Sequence, residues 1–205
     1  MGPKERRERE REEIRGKILD AARELFASEG YEAVTMRRIA DRIEYSATAI
    51  YFHFKDKDAL LKELCEHDFA QLAQQLTAMD QLPDPVDKLR ATGLAYIQFG
   101  LEYPNHYRLM FMTPHPPVDP DEIRKGNPEE DAYAFLKEIV AECIRTGRLR
   151  PELQDVDLVS QTMWAGVHGV IALDIAKCND NWVEWCPLEE RAAFMTETLI
   201  RGIVR

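Results

Sequence analysis

The stretch from Ser46 to Lys57, Ser-Ala-Thr-Ala-Ile-Tyr-Phe-His-Phe-Lys-Asp-Lys, gathers groups suited to reading a nucleic-acid duplex. Thr48 carries a hydroxyl that donates or accepts and a methyl that can meet a thymine methyl. Small residues around it, Ala47 and Ala49, let a helix backbone approach base edges. Tyr51 and His53 can reach a phosphate or a base. Upstream, Thr35 and the amides after it can hold a phosphate at a helix N-terminus. Arg37, Arg38, Lys55 and Lys57 suit the sugar–phosphate backbone.

A second set lies further on. Trp164 and His168 are four apart in the almost wholly apolar stretch 158–176, so they share a helix face. They either line a ligand cavity or form a core Trp with a hydrogen-bonded His. Asp174 in the same run needs a partner, either His168 or a residue across a dimer interface. Phe69, Tyr96, Phe99, Tyr103, Tyr107, Met110, Phe111 and Met163 supply the apolar walls and polar anchors that pockets use, although most such residues serve as core. Metalloprotease, phosphate-loop and nucleophile-elbow motifs are absent, so no metal or cofactor is expected. A small helical enzyme built on His168, Asp174 and a cysteine therefore has no supporting motif. The four cysteines show no C-x-x-C and read as buried thiols.

The elements that position these groups are helical throughout. Residues 1–13 alternate Arg and Glu and read as a frayed helix or a disordered arm, with minor-groove contact by its arginines the less favoured role. From Ile14, apolar residues recur at helical spacing (Ile18, Ala22, Leu25, Phe26) and stop at Glu29-Gly30. Thr35 and Ser46 read as N-caps of two short helices, and Asp56 as the cap of a long one over 57–79. Ile39, Ile43, Ile50 and Phe54 fall inward, while Ala47, Thr48 and Tyr51 fall on the opposite side. Further helices are predicted over about 85–102, 104–112, 128–146, 156–177 and 188–204, with a Pro-rich loop over 113–127. The predicted class is all-α: a three-helix helix-turn-helix head joined to a larger helical body.

The strings Thr35-Met36-Arg37-Arg38-Ile39-Ala40 and Ser46 to Leu61, with Ile-Tyr-Phe-His-Phe-Lys-x-Lys-x-x-Leu-Leu inside the second, resemble the tetracycline-repressor (TetR) family of bacterial regulators. The resemblance covers about 50 residues, Ile14 to Leu64. It implies phosphate contacts by Tyr51 and Lys57, and base reading by Ala47, Thr48, Ala49 and His53. One departure is the turn, where Glu44-Tyr45 stands in place of the family's common Gly-Val. A non-Gly residue would then adopt positive φ. Trp164 to Gly169 resembles the Trp-x-x-x-His-Gly signature of one C-terminal subgroup.

Charge fits this division. Residues 1–60 carry 13 basic and 13 acidic side chains, so the net charge of −10 falls on the remainder. Within 33–57 five basic residues face three acidic ones, a basic patch on an acidic body. The resulting expectation has three segments: a charged arm (1–13), a DNA-binding head (14–64) and an effector-binding, dimerising body (65–205). The chain would be a ligand-responsive regulator, a repressor by preference. It would bind a palindromic duplex operator as a homodimer joined through helices 156–177 and 188–204, in which Leu188, Ala192, Met195, Leu199 and Ile203 form one apolar pattern. No apolar run is long enough for a membrane helix and the start lacks a secretory h-region, so the expected compartment is the cytoplasm. The competing class is a helix-turn-helix adaptor that no longer binds DNA.

Overall fold

A computed structural model of the chain describes residues 2–114, 126–178, 180–181 and 183–205. The described residues form helices α1 (Pro3–Glu29), α2 (Met36–Arg42), α3 (Ala47–His53), α4 (Lys57–Thr77), α5 (Pro85–Glu102), α6 (Pro104–Phe111), α7 (Ala132–Arg145), α8 (Val156–Lys177) and α9 (Leu188–Ile203). A 3-10 turn, Ala78–Gln81, follows α4. Among these residues the only extended pairing is a single antiparallel bridge between Leu149 and Val204. None of the helices is long and apolar enough to cross a membrane. Most of the expected Pro-rich loop, 115–125, lies outside the described residues.

The helix starts follow the sequence. Thr35 accepts from the Arg38 amide and Ser46 from the Ala49 amide. Asp56 accepts from Ala59 N–H at the start of α4. Asp84, Asp131 and Asp155 cap α5, α7 and α8 in the same way. Each cap satisfies donors that a helix cannot satisfy internally.

The charged segment 1–13, read as a frayed or disordered arm, is helical from Pro3 and continuous with the rest of α1. Pro at the first helical position suits a helix start. Ion pairs one turn apart, Arg6–Glu10 (2.9 Å) and Glu13–Lys17 (2.8 Å), support it. Such pairs one turn apart favour the helical conformation.

The chain divides into two compact units. The first holds the described residues of Met1–Asp68 and Asn105–Glu122; the second holds Phe69–Pro104 and the described residues of Ile123–Arg205. This differs from a single cut after Leu64. The first half of α4 and nearly all of α6 belong with the head, so Tyr107, Met110 and Phe111 sit in the first unit. No local periodicity announces that return of the chain.

The first unit has one core, in which Ile18, Ala22, Phe26, Val34, Ile39, Ala40, Ile50, Leu60, Leu64 and Leu109 are fully buried. Beside it lies a buried ionic cluster. Arg23 on α1 donates to both carboxylate oxygens of Asp68 on α4, at 2.9 and 3.2 Å. His106 Nδ1 on α6 is 3.0 Å from Asp68 Oδ1. Burial pushes the Asp68 carboxyl up, but hydrogen bonds from His106 and Arg23 and the Arg23 charge hold it below the usual carboxylate range. Three elements are thereby tied at one point.

In the second unit α5 packs against α7, α8 and α9, and α8 packs on both α7 and α9. The α9 pattern predicted for a dimer is partly covered within the chain itself. Ala192 and Ile203 are buried and Leu188, Met195 and Leu199 half-buried within this unit. Leu199 lies against Gly166, where a Cβ would stand 2.6 Å from its Cδ1. Asp174 has a partner within the chain: Arg191 on α9 donates to it at 2.6 Å. All four cysteines are free, but only Cys65 and Cys143 are buried; Cys178 is partly exposed and Cys186 exposed. Burial pushes the Cys65 thiol up to about 12 and the Cys143 thiol to about 11, so both serve as packing groups.

Asp68→Asn keeps the shape but takes the buried anion from Arg23, leaving it only the exposed Asp20 carboxylate at 3.0 Å. Denaturant unfolding should register a loss of about 3–5 kcal/mol; a loss under about 1 kcal/mol would mean the cluster is not structural.

Candidate nucleic-acid interface

The two short helices α2 and α3 are joined by Ile43–Ser46. Glu44 in this turn has φ of 60°, the left-handed value that the missing glycine would have supplied. The Tyr45 amide donates to the Ala40 carbonyl at 2.9 Å and closes the turn.

Ile50 and Phe54 are buried with Ile39 and Ala40, and Ile43 packs against the same core. That choice fixes the outward side of α3. Thr48 is exposed, Tyr51 is 55% exposed and Phe52 is 72% exposed. Ala47 differs from the expectation: it is half-buried and packs against the core. It lies three residues before Ile50 and therefore shares part of the inward face. Ser46 is exposed and Ala49 half-buried.

His53 is also turned inward. Its Nδ1 is buried with no hydrogen-bond partner, and its carbonyl accepts from Arg15 at 3.0 Å. Burial, then the Arg11 and Arg15 charges, hold its pKa below the ordinary histidine value. The ring is therefore neutral at neutral pH.

The cations divide into anchored and open ones. Lys57 donates to the Tyr31 carbonyl at 2.8 Å and lies 4.0 Å from the Tyr31 ring centre. This fixes its ammonium while leaving further protons to donate. Arg38 pairs with Glu29 at 2.6 Å and Arg42 with Glu24 at 2.9 Å. Arg37 is exposed and makes none of the ion pairs among the described residues. Lys55 has a nearly fully exposed side chain, with Asp56 no nearer than 3.9 Å. Exposed hydroxyl and aromatic groups thus share the open flank of α3, whose other side is sealed, and cations stand on the elements before and after it. Phosphates and base edges are the partners such a set fits.

Three residues at this surface are not among those the sequence pattern marks. Phe52 is among the most exposed large apolar side chains of the described residues. Arg11 places its guanidinium 5.4 Å from the Phe52 ring centre. Arg15 pairs with Glu63 and lies 4.4 Å from the Phe54 ring centre. The available signal is that Arg11 and Arg15 continue the helical stripe of Ile18 and Ala22.

Residues 18–64 match the bacterial regulatory proteins of the tetR family, and residues 89–197 match the tetracyclin repressor-like C-terminal domain. The chain belongs to the tetR family. The HTH-type transcriptional repressor KstR2 of Mycolicibacterium smegmatis is 30% identical over 167 residues, covering 75% of this chain and 78% of that protein. An HTH-type transcriptional repressor of Mycobacterium tuberculosis is 46% identical over 59 residues, 29% of this chain, and the match spans only 32% of that repressor's length. A TetR family transcription regulator from Marinobacter aquaeolei VT8 has the same fold, with a TM-score of 0.76 at 19% identity over 97% of this chain and 98% of that one.

In this tetR-family chain the expected effector residues fall into separate groups. In the second unit the Tyr96 hydroxyl accepts from Trp164 Nε1 at 2.9 Å and lies 3.3 Å from His168 Nδ1. Tyr133 stacks obliquely on Trp164, ring centres 6.0 Å apart. Burial holds the His168 pKa below its ordinary value. Phe99 and Met163 are buried, Tyr103 packs on Phe99, and Phe69 is exposed. Tyr107 and Met110 are buried in the first unit, where Phe111 packs on Tyr107.

The positive φ at Glu44 makes a direct test of the turn. Glu44→Gly should leave the melting temperature equal or higher, whereas Glu44→Val should cost about 1–2 kcal/mol. Equal melting of both variants would mean that residue 44 does not hold this conformation.

Proposed function

We propose that this chain is a ligand-responsive transcriptional regulator, a repressor by preference, which binds a palindromic operator as a homodimer. The observation that carries the reading is the locked orientation of α3, with Ile50 and Phe54 inward and Thr48, Tyr51 and Phe52 outward. Base edges are met by Thr48, with Ala47 and Ala49 allowing close approach. Phosphates are held by Tyr51, Lys57, Lys55 and Arg37, by Arg38 once it leaves Glu29, and by the α2 and α3 N-termini at Thr35 and Ser46. His53, neutral and turned inward, serves mainly to seat α3. The repressor preference rests on the functions of the relatives.

One seven-residue helix makes few base contacts, and a symmetric pair doubles them. The dimer face we infer is the outer side of α8 and α9 in the second unit. Phe194 on α9 is 75% exposed, and Leu158 and Leu173 on α8 are exposed too. Between the two leucines the exposed or half-buried Thr162, Ala165 and Gly169 are small, which permits close helix packing. Large apolar side chains left open on adjacent helices mark an association surface.

The effector acts in the second unit, where the Tyr96–Trp164–His168 group offers polar recognition among apolar side chains. Its effect reaches DNA through the spacing of the two heads, which must match half-sites about 34–36 Å apart. The ligand shifts that equilibrium only by its differential affinity for the two states.

Tyr51→Ala with Lys57→Ala should weaken binding to any duplex by roughly tenfold or more for each charge-assisted hydrogen bond removed. The slope of log affinity against log salt should flatten by about one for each phosphate that Lys57 no longer neutralises. An unchanged slope in a fluorescence-anisotropy titration, with unfolding unaltered, would remove these two residues from the interface. Phe194→Asp should raise the dimer dissociation constant roughly 30-fold, as for an interface hot spot. Sedimentation equilibrium reads this out, and an unaltered dimer would place the mating face elsewhere.

A further inference from the structure

We propose that the first turns of α1 form a second, sequence-independent DNA contact, in which Lys4, Arg7 and Arg11 hold phosphates flanking the groove entered by α3. The inference rests on the reading of α3 as a DNA-reading helix and extends the interface beyond the helix-turn-helix.

The helical repeat brings these cations onto one face. Stepping back by three or four residues from the buried Leu25, Ala22 and Ile18, one side of α1 passes through Arg15, Arg11, Arg7 and Lys4. The face is apolar where it meets the first unit's core and cationic beyond it. By composition the segment 3–13 is neutral, with five basic and five acidic residues. By face it is not. Glu5, Glu10, Glu12 and Glu13 lie on the other sides, and only Glu8 borders the cationic stripe. Three of the others are engaged there: Glu5 with the Gly2 amide, Glu10 with Arg6, and Glu13 with Lys17.

Geometry ties this stripe to α3. Arg15 is fixed by Glu63 and by the His53 carbonyl at the end of α3. One turn earlier, Arg11 lies over the exposed Phe52 ring. The stripe therefore borders the C-terminal end of α3 at Phe52 and His53. Arg7, the next step outward, is exposed and makes none of the ion pairs among the described residues. Lys4 reaches Glu8 only at 4.0 Å, with both side chains largely exposed.

The spacing suits a polyanion. At about 1.5 Å per residue, Lys4 to Arg11 spans about 10 Å of helix axis. A DNA strand presents a phosphate about every 3.4 Å of its axis, so three cations face about three phosphates. The charged segment that composition renders neutral thus has a use for its alternation: glutamates pair along the outer faces and leave one basic edge.

The test compares two variants with the same charge change: Arg7→Ala with Arg11→Ala, and Arg6→Ala with Arg9→Ala on the opposite face. The probe is the duplex that the full-length protein selects from a random pool. Removing Arg7 and Arg11 should lower the salt slope by about 0.9 per phosphate released, roughly 3–4 for a dimer. Removing Arg6 and Arg9 should lower it by less than about 1, and Arg7→Lys with Arg11→Lys should restore it. Trimming the duplex flanks should weaken the wild type and leave the Arg7/Arg11 variant unchanged. Equal loss in the two alanine pairs, no loss in either, or failure of the lysine pair to restore the slope would overturn the proposal. A wild type that selects no duplex at all would instead overturn the reading of α3, and this inference with it.

Discussion

A seven-residue helix closes too few hydrogen bonds to persist alone in water, so α3 exists only because its inner side is bound to something else. Ile50 and Phe54 supply that binding, four residues apart and buried with Ile39 and Ala40. Ser46 sets the first turn, and Glu44 accepts a left-handed backbone so that the chain can reverse between α2 and α3. Once the inner side is fixed, the outer side has no freedom: Thr48, Tyr51 and Phe52 must face water or a partner. In the proposed reading, affinity for DNA is therefore a consequence of core packing.

The same unit organises its charges at two depths. Inside, Arg23, Asp68 and His106 satisfy one another and tie α1, α4 and α6. Outside, the Lys57 ammonium is held by the Tyr31 carbonyl and ring, which would lower the entropy cost of placing it against the phosphate proposed for it. Arg38 and Arg42 are paired to glutamates of α1 in the free protein; any DNA contact by Arg38 exchanges one partner for another and gains less than an open cation would. Arg37 and Lys55 carry no such cost.

Much of this was legible from residue types. Thr35, Ser46 and Asp56 announced three helix starts and Ile50 and Phe54 their inward face, because each depends on neighbours within four residues; the positive φ at Glu44 was instead implied by the resemblance, whose usual glycine Glu44 replaces. What residue types left open depended on distant ones. The charged start looks unsupported until its pairs are seen one turn apart along a helix anchored by the core downstream. Of the α9 pattern, Ala192 and Ile203 are buried within the unit, where α9 packs on α5 and α8, while Met195 and Leu199 are only half-buried. Asp174 finds an ionic partner in Arg191, on the next helix, which no spacing along α8 marks. That α6 belongs to the first unit is a property of chain return that no local pattern encodes. Ala47 was misplaced by a fraction of a turn, enough to move a small side chain from open to half-buried.

Chemical protection of the guanine N7 positions in the duplex that the wild-type protein selects tests the central claim most directly, because those atoms lie only in the major groove. Two protected clusters on one face of the duplex, about 34–36 Å or one helical turn apart, are what a symmetric pair of α3 helices demands. Bound duplex whose N7 atoms all stay reactive, or a single unbroken protected stretch, would contradict it.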